Sequence, residues 1–250
     1  MLSTINKIDK NTIVSDIVLQ DYRTAAVFRK HGIDFCCGAK FPLEVACSMR
    51  GLDLESVYED LENAARTIHV PNILKFEKWD LCFLADYVER VHHEYLRVAM
   101  PESLSTLEQF AKAHQKRYSY LSELVSVFAG LVNEMIPHMV QEEEIIFPYI
   151  RRVVHAFNSK ESYAGLFVRT LSKPVKLVMD HDHALVVKSL YRIRELTNYY
   201  CPPSNACTNH KVCFFTLREI DNDLVQHLYL ENNILFPRAI EMEKELLQKN

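Results

Sequence analysis

The feature that most constrains this chain is a motif that occurs twice. His138-Met139-Val140-Gln141-Glu142-Glu143-Glu144-Ile145-Ile146-Phe147-Pro148 is matched by His227-Leu228-Tyr229-Leu230-Glu231-Asn232-Asn233-Ile234-Leu235-Phe236-Pro237. In each copy a glutamate follows the histidine by four residues, and Phe-Pro follows that glutamate by five and six. On an α-helix, positions i and i+4 project from one face, one turn apart. A single His-x3-Glu is most often a solvated surface pair. Two copies set among Met135, Ile136, Met139, Leu224, Val225 and Leu228 are another matter, because buried charge needs a partner and a metal ion is an efficient one.

Further histidines stand upstream of each copy, as His92-His93 and as His181-Asp182-His183. His93 precedes His138 by 45 residues and His183 precedes His227 by 44. Each half of the region therefore reads as a helical hairpin, with a histidine on the outgoing helix and a His/Glu pair on the returning one. Two such hairpins about a pseudo-twofold axis bring four imidazoles and two carboxylates to one centre. Nitrogen and oxygen donors without thiolate suit iron, manganese or zinc. The stoichiometry suits two irons, each with two terminal imidazoles, bridged by Glu142 and Glu231. Positions then remain for an oxo or hydroxo bridge, or for dioxygen or nitric oxide.

The surrounding sequence is predicted to be all-α. Glycine is scarce, at 5 of 250 residues, and no long stretch alternates apolar with polar, so little favours a sheet. Four periodic segments cover about Lys78–Val98 (stopping near Pro101), Lys116–His155 (with a break near Pro137 or Pro148), Pro174–Thr197 and Val212–Leu247. They predict an up-down four-helix bundle, whose interior is where such folds build metal sites. Before it, Thr12–Thr67 reads as short helices interrupted by a turn over His31-Gly32-Ile33-Asp34-Phe35-Cys36-Cys37-Gly38, with Asp53 placed to support the first turn of an amphipathic run. Val70-Pro71-Asn72 reads as a linker. The expected organisation is a small helical domain over residues 1–70 and a bundle over residues 71–250. A net charge of −4 with interspersed signs leaves no footprint for nucleic acid or an anionic membrane. No apolar run approaches the roughly 20 residues that span a bilayer. A polar, charged start and seven cysteines, an odd number, make a cytoplasmic protein with reduced thiols the expectation.

The bundle region resembles the hemerythrin-like domain of the iron–sulfur cluster repair di-iron proteins, the repair-of-iron-centres family. The likeness rests on His93, His138-x3-Glu142-Glu143, Phe147-Pro148, Asp182-His183 and His227-x3-Glu231-Asn232-Asn233-x-Leu235-Phe236-Pro237-Arg238. Phe28-Arg29-Lys30-x4-Phe35-Cys36-Cys37-Gly38 resembles the signature of that family's small leading domain. The resemblance covers nearly the whole chain, and it selects His93 over His92 and His183 over His181 as ligands. It implies a protein that restores iron–sulfur clusters damaged by nitric oxide or oxidants, as an iron donor. Its partners would be damaged iron–sulfur proteins or cluster scaffold proteins. A homodimer stays open. A sensor or binder of dioxygen or nitric oxide, and an enzyme reducing nitric oxide or peroxide, are the alternatives.

Other residues are weaker candidates. Glu134, one turn before His138, is placed to orient that imidazole or to line a polar route, and Asp182 invites the same reading beside His183. Glu143 and Glu144 are expected to face solvent. Cys36 and Cys37 are adjacent thiols in a Gly-flanked turn, where a disulfide is strained, so redox or iron transfer is the reading. Cys201 and Cys207 flank Pro202-Pro203 as loop thiols, while Cys47, Cys82 and Cys213 read as small buried hydrophobes. Trp79 is expected in the core.

Overall fold

The structure, a computed structural model, describes residues 8–35, 41–65, 74–159 and 175–248, with side chains in the last stretch described from residue 183. Cys36, Cys37 and the expected linker at residues 70–72 lie outside the described residues, as do the side chains of His181 and Asp182. Apart from a single bridge between Ile13 and Pro42, the described residues form helices and turns.

Four short helices build the N-terminal unit: α1 (Val14–Gln20), α2 (Thr24–Lys30), α3 (Leu43–Met49) and α4 (Leu54–Ala65). Each is too short to be stable alone in water, so the unit depends on a shared core. Val14, Ile17, Phe28, Leu43, Val57 and Leu61 provide it. Gly32 and Gly51 each take a φ of +65° just past a helix end, where a side chain would be strained. There the Ile33 and Leu52 amides reach back to the carbonyls of Phe28 and Cys47, closing both helices. Gly32 thus realises the turn expected after α2. Asp53 accepts from the Ser56 amide at 3.0 Å, the support predicted for α4. Residues 200–217 group with this unit, through Val212 in its core and Phe215 against Tyr22.

The second unit holds residues 72–199 and 218–250, described from residue 74 to residue 248. Its first long helix runs through α5 (Leu81–Tyr87), a π-turn (Val88–His93) and α6 (Glu94–His114). Asp80 caps its start by accepting from the Cys82 and Phe83 amides. The second long helix is α7 (Leu121–Gln141), a π-turn (Glu142–Ile146) and α8 (Phe147–Ser159). The third is α9 (Val175–Leu196); the fourth is the part of α10 (Thr208–Leu230) from residue 218 on, a π-turn (Glu231–Leu235) and α11 (Phe236–Gln248). α5 packs on α8 and α6 on α7, so the first two helices run antiparallel. α9 packs on α7, and α11 packs on α8 and α9, which completes the predicted bundle.

The first helix does not stop near Pro101 but continues to His114. A proline inside a helix costs about 3 kcal/mol. Leu96, Met100, Leu107 and Phe110 all bury on this face, and full burial of such side chains contributes about 1.5–3 kcal/mol each, enough to carry the helix across the break. Pro137 likewise lies inside α7. Trp79 is half-buried at one end of the bundle core, edge-on to Phe76 and Tyr87. No described helix is long and apolar enough to cross a membrane.

Phe28 is fully buried at the centre of the N-terminal unit. Phe28→Ala is expected to destabilise that unit by about 3–5 kcal/mol, read as a lowered midpoint in urea denaturation followed by circular dichroism.

Candidate metal centre

Both copies of the repeated motif depart from regular helix at the same point. Glu142 opens one π-turn and Glu231 opens another, while a third ends on His93. His138, Glu142, Ile146 and Ile150 succeed one another at intervals of four and are all buried; so do His227, Glu231, Leu235 and Ala239. At about 3.6 residues per turn such a series drifts round the helix. A wider turn with i→i+5 bonds absorbs the drift and keeps the series on one face. Pro148 and Pro237 stand just after these turns. Each lacks the N–H that would bond back into the turn, and its ring would clash with a regular turn before it, so the Phe-Pro pair and the widened turn belong together.

Six side chains converge as a result. His93 Nε2 lies 3.1 Å from His227 Nε2, and His138 Nε2 lies 3.0 Å from His183 Nε2. Each carboxylate offers one oxygen to each histidine pair. Glu142 Oε2 is 3.4 Å from His93 and 3.9 Å from His227, while its Oε1 is 3.1 Å from His138 and 3.9 Å from His183. Glu231 Oε1 is 2.9 Å from His227 and 4.0 Å from His93, and its Oε2 is 3.6 Å from His183. Two groups of four donors follow, His93/His227 and His138/His183, each sharing both glutamates. Among the described residues no other such group occurs.

The donor chemistry fits a cation. Two imidazole nitrogens bound at about 2.1 Å and at right angles to each other stand about 3.0 Å apart, which is the separation of both pairs. Both oxygens of Glu142 and Oε2 of Glu231 are buried with no hydrogen-bond partner. Orphaned carboxylate oxygens cost several kcal/mol in such a setting unless a positive charge meets them. Unmetallated, the cluster meets them with protons. Burial disfavours an ionised Glu142, yet the imidazoles of His138, His183 and His93 close to its oxygens outweigh it and hold its carboxyl well below the usual range. Burial, then the charge of Glu142, pushes Glu231 well above it. Burial opposes a cationic His93 and His183, but Glu142 and its neighbours overcome this and raise both. His227 goes the other way, pushed down to about 3 by burial, an effect that the Glu142 charge only partly offsets.

Outside the donors, the two kinds of partner differ. His93 Nδ1 meets Glu143 Oε1 at 2.9 Å, and Arg97 donates to both oxygens of Glu143. Glu143 therefore does not face solvent as the 3.6-residue period predicted; it lies within the π-turn, which swings it towards the first helix. Asn232 Oδ1 accepts from His183 Nδ1 at 2.9 Å. Both residues stand next to a motif glutamate, and Arg97 stands four residues after His93, the one sequence signal that pointed at this pair. His92 turns away from the cluster to Asp223. Glu134 is exposed beside a cleft of ≈ 260 Å³ that His138 and Gln141 also line, with Leu185 and Val186 from α9 facing them. Cys47 and Cys213 are buried thiols, as expected; Cys82 is only half-buried, and Cys201 is exposed.

Imidazole and carboxylate donors converging inside four helices define a cation-binding bundle of the hemerythrin kind. Residues 85–239 match the Hemerythrin HHE cation binding domain, and residues 10–65 match ScdA_N, a domain of unknown function (DUF542). The chain is 31% identical to the iron-sulfur cluster repair protein YtfE of Cronobacter sakazakii, with 92% of this chain and 97% of that protein covered. Identity to the proteins of the same name is 30% in Citrobacter koseri, over 91% of this chain and 96% of the relative, and 27% in Yersinia pestis, over 94% and 99%. The chain belongs to the family of these iron-sulfur cluster repair proteins, and in it the hemerythrin HHE match follows the ScdA_N match.

Metal binding requires neutral imidazoles and ionised carboxylates. His93, His183 and Glu231, all raised in the metal-free cluster, therefore give up protons when metal enters, whereas His227 has none to give. Affinity should fall as pH is lowered from 8 to 6, with net proton release in calorimetric titrations run in buffers of different ionisation heat. Glu143→Gln, which removes the charged partner of His93, should weaken metal binding about 10–100-fold in a chelator competition.

Proposed function

We propose that this protein repairs iron–sulfur clusters damaged by nitric oxide or oxidants, and that it does so by donating iron held at a di-iron centre. The observation that carries the reading is the pair of four-donor groups that share Glu142 and Glu231. His93 and His227 would hold one iron, His138 and His183 the other, with both carboxylates and an oxo or hydroxo group between them. Two irons so placed supply one-electron redox chemistry and a store of exchangeable metal. Only nitrogen and oxygen ligands hold them, so a thiolate-rich acceptor is a thermodynamically credible destination.

The chain's own residues would divide the work. Glu143 and Asn232 fix the rings of His93 and His183. The cleft that His138 lines offers a route between the centre and solvent, with Glu134 beside it to attract a cation. Asp182, beside His183 in sequence, would serve a similar role. Cys36 and Cys37 would reduce the centre, receive iron or meet the damaged cluster; these roles rest on residue chemistry alone. Damaged iron–sulfur proteins or cluster scaffolds would be the partners, in the cytoplasm. The same cleft also admits a diatomic molecule, which favours a dioxygen or nitric oxide sensor as the second reading.

Aerobically purified protein is expected to contain two irons per chain, with the Mössbauer signature of a bridged ferric pair. It should restore activity to a nitrosylated iron–sulfur enzyme while losing iron. His138→Ala should lose metal, and replacing Cys36 and Cys37 by alanine should lower repair with iron content intact. Reversible gas binding without iron transfer would favour the sensor.

A further inference from the structure

Two of the imidazoles in the cluster have identified partners on their outer nitrogen, Glu143 behind His93 and Asn232 behind His183. His227 differs. Its Nε2 points at the cluster, and its Nδ1 is buried with no hydrogen-bond partner. With Nε2 committed to a metal, Nδ1 carries the proton and is an orphaned donor. Metal-bound histidines almost always donate that proton to a carboxylate, carbonyl or water.

Beside it stands a second group that the proposed centre does not use. His92 is buried, with its ring stacked on that of His227 at a centroid separation of 5.9 Å and an interplanar angle of 12°. Tyr87 lies edge-on to the His92 ring at 5.6 Å. His92 Nδ1 meets Asp223 Oδ1 at 3.0 Å. A carboxylate only accepts, so in the neutral ring the proton sits on Nδ1 and His92 Nε2 is left as an acceptor. That Nε2 is buried without a partner, as is Asp223 Oδ2. One orphaned donor and two orphaned acceptors therefore occur on three neighbouring side chains of the same bundle. A water molecule that accepts from His227 Nδ1 and donates to His92 Nε2 would satisfy both ring nitrogens, and buried waters typically make about two to four such bonds.

We propose that His92 and Asp223 form a positioning dyad for His227, in which Asp223 fixes the His92 ring through Nδ1 and one buried water accepts from His227 Nδ1 and donates to His92 Nε2. The inference rests on the reading of His227 as a metal ligand. The dyad completes for His227 what Glu143 and Asn232 do for their histidines. It also gives His92, the neighbour of His93 in the sequence, a task distinct from ligation.

The test uses the full-length chain loaded with zinc, which is diamagnetic and takes the same donors. In 15N-histidine spectra His92 is expected as the Nδ1–H tautomer; an Nε2–H tautomer would overturn the proposal. His92→Phe keeps the stacked ring and removes the acceptor. It should shift the His227 Nδ1 resonance and weaken zinc binding about 10–100-fold, with the melting temperature of the metal-free chain unchanged. His92→Gln, which restores a hydrogen-bonding group, should recover most of the affinity. Zinc binding in His92→Phe equal to that of the parent, or a loss matched by lower metal-free stability, would show that the ring only packs and would overturn the dyad. A parent chain that takes up no zinc would overturn the metal-site reading itself, and this inference with it.

Discussion

Two carboxylates buried side by side at the middle of a helical bundle are the constraint from which the rest of the second unit follows. Glu142 and Glu231 are at most 1% exposed, and neither can stay ionised there without compensation. Four imidazoles surround them, and the whole set is shaped for a cation that would let both carboxylates ionise together. The need to bring those six side chains to one point explains the three π-turns and the prolines that follow two of them. It also explains why Glu143 turns to His93 and Arg97 rather than facing water.

The apolar packing is organised around the same need. Phe147 stacks on His93 and Phe236 on His183, so the aromatic residue of each Phe-Pro backs the imidazole on the outgoing helix of its own hairpin. Leu84, Val88, Ile150 and Leu235 fill the space beyond. Such a lining holds the rings in place and lowers the local dielectric, which strengthens every charge interaction inside. On the other side, the cleft at His138 is the described opening that a donor residue lines. A centre that must exchange metal or admit a small ligand requires that balance of enclosure and access.

How much of this was legible in the residues depends on which link is asked about. The repeated His-x3-Glu identifies four of the six cluster residues, because i and i+4 share a helical face whatever the tertiary context, while the resemblance to the repair family singles out His93 and His183 from their neighbouring histidines. The helices around them are legible for the same reason. The end of the first helix was not: a proline is a strong local signal, and only packing against α7 shows that buried Met100, Leu107 and Phe110 override it. Glu143 was misplaced because a 3.6-residue period does not hold through a π-turn. The grouping of residues 200–217 with the N-terminal helices reflects long-range contacts of Val212 and Phe215 that no local pattern announces.

By itself, then, the sequence determined the class of fold, the two His/Glu pairs and the twofold repetition, since all three are periodic properties of a helix. The tertiary structure decided which histidines pair, which oxygen of each glutamate faces which pair, and what stands behind each ring. His93 meets His227, and His138 meets His183, across distances of 134 and 45 residues in the chain. Pairing of that kind is a matter of how helices cross, and crossing is set by side-chain packing over the whole bundle rather than by any local period.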